Sequence, residues 1–105
     1  MREPKLDPVH PGEILLEEFL KPMEIIPKQL AEDIHIPLLK IDEIILGKSA
    51  ITTDIALRLS KYFGLSERFW LNVQVTYDLE LAKEQLEDRL ESEVKVCIVL
   101  KESDR

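Results

Sequence analysis

The chain has 105 residues, 45% of them apolar and 33% charged, enough to bury one ordinary core and too few for two. Its longest apolar run, residues 96–100, falls far short of the roughly 20 residues of a membrane helix, and no basic-then-apolar leader opens the chain, so a soluble cytoplasmic protein with no membrane partner is expected. A net charge of −7 rules out a broadly basic nucleic-acid binder; any DNA contact must be local, and the acidic balance suits a basic protein partner.

The stretch MREPKLDPV carries two prolines and no helical period, so residues 1–10 read as an extended or disordered arm. Pro11 opens the first predicted helix, residues 11–20, with Ile14, Leu15, Phe19 and Leu20 as its apolar stripe and Pro22 as its stop. His10, beside Pro11, reads as a helix-entry residue, because no second ligand stands at metal spacing. Pro27 starts a second helix, residues 27–34, with Leu30, Ala31 and Ile34 inward and Lys28, Glu32 and Asp33 outward. Pro37 launches a third, residues 37–46, in which Ile41, Ile44 and Ile45 share helical spacing and Gly47 stands where a left-handed cap belongs. Thr52 is an N-cap for a fourth helix that Gly64 ends.

A long fifth helix, residues 67–90, carries Phe69, Trp70, Val73 and Tyr77, then Leu79, Ala82, Leu86 and Leu90 at a heptad-like interval that its own domain does not absorb. Phe69 and Trp70 read as core or interface anchors, and the acids from Glu80 to Glu93 as a solvated face. The tail VKVCIVL is rich in β-branched residues and predicts one strand, to pair with a second copy, pair with a partner, or fold back as extended core. Cys97, the only cysteine, is expected to be a buried small hydrophobe; it excludes an internal disulfide and a cysteine zinc cluster. Three glycines, none in a phosphate-binding pattern, argue against nucleotide binding, and no cofactor, metal site or catalytic group is expected. The division is therefore an arm (1–10), a helix-turn-helix domain (11–78), and a C-terminal helix end and strand (79–105) for a dimer or partner contact.

Two short helices joined by a tight turn have the spacing of a helix-turn-helix. Steep crossing asks for a small residue on the first helix, which Ala31 supplies, and for branched residues a turn apart on the second, which Ile41 and Ile44 supply. The turn calls for positive φ, where His35 stands in place of the usual glycine.

The strings HPGEILLEEFLKPM, QLAEDI, LGKSAIT, ALRLSKYFG and FWLNVQVTYDLELA resemble the HigA antitoxins, also described as virulence-associated protein I, of the Xre helix-turn-helix class. The likeness covers roughly residues 8–82. It implies an all-α, lambda-repressor-like domain of five helices, homodimerisation, binding to a HigB-type toxin that cleaves mRNA, and repression of the module's own promoter. With the register so fixed, the outward N-terminal positions of the third helix are Leu38, Leu39, Lys40 and, one turn on, Glu43, the candidates for base contact. Lys40 suits guanine or phosphate, Glu43 accepts from cytosine, and the leucines either touch thymine methyls or form an apolar patch for a protein. Lys28, Gln29, Lys48, Ser49 and Thr52 make the candidate phosphate edge. Family members more often carry Ser, Arg, Thr or Asn along this helix, and residues 24–48 hold three lysines against five acids. A rival reading follows: an interaction module that keeps the scaffold and has weak or lost DNA binding.

Overall fold

The computed structural model describes residues 7–98, and the expectations for 1–6 and 99–105 lie outside them. Five helices follow in order, and no strand occurs among the described residues. Helix α1, residues 11–23, begins at Pro11 and is capped by His10, whose Nδ1 accepts from the Gly12 amide at 2.9 Å. Contrary to the expected stop, α1 runs through Pro22 to Met23. A proline there lacks the N–H that Glu18 would accept and crowds that carbonyl, and the backbone of Leu15–Leu20 widens to a π turn in which Lys21 N donates to Leu16 O. Glu24, at φ 56°, ends the helix.

Helices α2 (Pro27–Ile34), α3 (Leu38–Ile45), α4 (Thr53–Phe63) and α5 (Phe69–Glu93) complete the order. The Thr52 hydroxyl caps α4 by accepting from Ile55 N at 3.3 Å, and Gly64 closes it at φ 70°. The core joins Leu15 and Leu20 of α1, Leu30 of α2, Ile41 and Ile44 of α3, Leu59 of α4 and Trp70 of α5, all essentially inaccessible. Each such side chain removed from water contributes about 1.5–3 kcal/mol. Phe19 clamps three helices together, with ring centroids 4.8 Å from Phe63 and 5.1 Å from Trp70. The backbones of α1 and α3 nearly touch: a β-carbon on Gly12 would overlap the Ile44 carbonyl oxygen. That contact fixes where α3 sits.

The described part of the tail does not fold back onto the core, one of the three fates expected for it. Residues 94–97 form neither helix nor strand, and Val94, Val96 and Ile98 are exposed. Cys97 is exposed as well, not the buried hydrophobe its apolar neighbours predict. An apolar run is buried only where the fold offers a surface to receive it, and α5 carries this one past the end of the core.

Candidate nucleic-acid interface

The turn between α2 and α3 is built as the sequence predicts. His35 takes the left-handed conformation at φ 60°, and Ile36 N donates to Ala31 O at 3.1 Å, so α2 ends and α3 starts in a new direction. Arg58 of α4 seals the corner, its Nη1 donating to Ile34 O at 2.8 Å while its Nε donates to Asp54 at 2.6 Å. A guanidinium at the carbonyl end of a helix also meets the negative end of its dipole. Tyr62 OH donates to Asp33 at 2.7 Å; that bond to a carboxylate and partial desolvation raise the phenol above its ordinary value.

Helix α3 is two-faced. Ile41 and Ile44 anchor it, and its other side faces water: Leu38 is 40% exposed, Leu39 71% and Leu46, just past its end, 67%. Lys40 and Glu43 lie on that outer side, half exposed, with Lys40 Nζ 3.7 Å from the Glu43 carboxylate. Gly47, at φ 79°, turns the chain back, and the amides of Lys48 and Ser49 both donate to Glu43 O, at 2.8 and 3.2 Å. The structure therefore brings Leu38, Leu39, Lys40 and Glu43 together, and it places Lys48 and Ser49 beside Glu43.

The remaining predicted residues form an edge. Thr52 stands at the start of α4 with its hydroxyl oxygen already serving Ile55 N. Lys28 and Gln29 lie exposed in the first turn of α2, and Gln29 Nε2 donates to Asp33 at 2.8 Å. Lys28 and Lys48 make no ion pair among the described residues.

Sequence reasoning passed over three residues that hold this surface in place. Gln74 is buried, accepts from Ile51 N at 2.8 Å and donates to Asp78 at 2.8 Å, pinning the loop after α3 to α5. Its signal was a polar residue one turn after Trp70 on the inward stripe. Gly12 seats α3, and Arg58 locks the turn. Among the described residues no cluster of three His, Cys, Asp or Glu side chains could hold a metal, and no helix is long and apolar enough to cross a membrane.

Known proteins share this architecture. Virulence-associated protein I of Dichelobacter nodosus is 47% identical over 76 residues, 72% of this chain and 70% of its own. Antitoxin HigA-1 of Vibrio cholerae is 32% identical over 105 residues, 100% of this chain and 99% of its own. The chain belongs to the HigA antitoxin family. Among solved structures, Pseudomonas aeruginosa antitoxin HigA, solved with the higBA promoter, superposes with a TM-score of 0.80 at 36% identity, covering 84% of this chain and 96% of that one. No protein-family model matches the sequence. The family and the all-α helix-turn-helix fold that the sequence motifs predicted both hold.

Proposed function

We propose that this chain is a DNA-binding antitoxin that acts as a cytoplasmic dimer, represses its own operon and neutralises a HigB-type toxin that cleaves mRNA. The observation that carries the reading is the outer side of α3, held clear of the core by Ile41 and Ile44 on a scaffold shared with an antitoxin solved with promoter DNA. In that reading Leu38, Leu39, Lys40 and Glu43 enter the major groove. Lys28, Gln29, Lys48 and the amides at the start of α4 lie along phosphates, which position the protein without reading sequence. In the second half of α5, residues 79–93 hold six acids against two bases, a charged side suited to the basic toxin, while the apolar stripe of Leu79, Leu86 and Leu90 is the candidate dimer contact.

Fluorescence anisotropy with a duplex from upstream of its own coding region tests this. Affinity should fall steeply with salt, and Lys28→Ala or Lys48→Ala should each lower the salt slope by about 1 while weakening all duplexes alike. Binding no tighter than to an unrelated duplex would contradict the autorepressor.

The exposed Leu38, Leu39 and Leu46 favour a second reading, in which the same side of α3 docks on a protein. That version predicts no salt-dependent DNA binding, and loss of the protein partner on Leu39→Glu.

A further inference from the structure

The two charged groups on the outer side of α3 are held as one unit. Lys40 Nζ lies 3.7 Å from Glu43 Oε1. Ser49 Oγ donates to that same carboxylate oxygen at 3.0 Å, and Lys40 Nζ donates to the Ser49 hydroxyl at 3.5 Å. Ser49 reaches the pair because Gly47 reverses the chain and the Lys48 and Ser49 amides bind the Glu43 carbonyl. Exposed ion pairs contribute little to stability. What this one supplies is geometry: a cationic donor beside an anionic acceptor, at the mouth of the proposed interface.

A G·C pair shows the complementary pattern. Guanine O6 accepts and cytosine N4 donates at the centre of its major-groove edge, and the two atoms are hydrogen-bonded to each other, hence about 3 Å apart. We infer, resting on the DNA-binding reading above, that Lys40 and Glu43 jointly read one G·C pair in each half-site. Lys40 donates to guanine O6 and N7, and Glu43 accepts from cytosine N4. Ser49 is a positioning residue: its hydroxyl hydrogen is committed to Glu43, so it aims the carboxylate instead of touching phosphate.

A T·A pair offers the same central order, acceptor then donor, from thymine O4 and adenine N6. It fails at the flanks. The thymine methyl replaces guanine N7 beside the ammonium, and adenine N7, an acceptor, faces the carboxylate. The pair also enters the groove with no net charge, so it adds discrimination without opposing the phosphates, which an isolated Glu43 would do.

The test is selection of binding sequences from a randomised duplex library with the full-length protein, repeated with Glu43→Gln, Ser49→Ala and Ser49→Thr. For the wild type, one position per half-site should be G·C, and exchanging it for T·A should weaken binding by about 5- to 150-fold, the range of one well-made base contact. Glu43→Gln should abolish that preference or move it toward adenine, which glutamine reads. Ser49→Ala should reduce the ratio, leaving affinity and salt slope on unrelated DNA unchanged, and Ser49→Thr should restore it. An enriched sequence that is the same for wild type and Glu43→Gln overturns the joint readout alone, as does a Ser49→Ala loss spread equally over all duplexes. No enriched sequence from the wild type would overturn the DNA-binding reading and this one with it.

Discussion

Helix α5 passes through two environments. In its first two turns Trp70 and Gln74 are buried, the first among Phe19, Phe63 and Phe69, the second hydrogen-bonded to the loop that follows α3. Beyond Asp78 no described residue is buried, and Leu79 and Leu90 stand 55% and 47% exposed. The apolar spacing is similar in both halves, so periodicity tells that a helix has a face to bury; only the fold tells whether this chain buries it. The first half is scaffold for the α3 surface. The second half is available for association.

The contrast should break most visibly at Gly12. A methyl group there meets backbone, which cannot rotate away, so Gly12→Ala should cost about 3 kcal/mol in urea unfolding and weaken every function that depends on α3. A cost near zero would show that α1 and α3 are not locked together. Leu90→Glu belongs to the other half. We expect wild type to sediment at about twice the 12.2 kDa chain mass and the variant as a monomer, with unchanged melting at concentrations where both are monomeric. A variant that unfolds would mean that the distal half belongs to the core.

Ser60 sharpens the scaffold side. Its buried hydroxyl finds no hydrogen-bond partner among the described residues, so Ser60→Ala should stabilise by about 1 kcal/mol in the same assay. The smallest effect concerns His10. Burial lowers its imidazole below the ordinary value of 6.5, with the Asp78 charge acting the other way, and Nδ1 must stay unprotonated to cap Gly12. The folded state therefore binds this proton less well than the unfolded one. Its stabilising contribution is complete above 6.5 and declines as pH falls below that value. In melts from pH 7 to 5.5 the wild type should lose ground to His10→Asn, which keeps a capping oxygen; parallel curves would remove His10 as the cause.

Much of this architecture was legible because local chemistry and fold agree. Pro11 and Pro27 sit at helix starts, Gly47 and Gly64 at ends, and His35 takes positive φ where the turn requires it. The register of the α3 surface was legible too, since Ala31, Ile41 and Ile44 can face inward in only one way. What escaped were the features that depend on distant partners. Pro22 looked like a stop because the relief offered by a π turn leaves no mark in composition. The role of Gly12 left no local mark, because its tight neighbour is 32 residues away in sequence. Ser49 looked like a phosphate donor because nothing in the sequence shows its hydroxyl turned to Glu43. Cys97 looked buried because residue type carries no information about whether this chain offers a surface to receive it.

The central claim is that α3 presents its outer side to DNA. An NMR titration of the labelled protein with a duplex from its own promoter region tests it residue by residue. The account predicts the largest amide shifts at residues 38–43 and 48–52, with residues 79–93 unmoved. Shifts concentrated on the second half of α5, or none at saturating duplex, would contradict it.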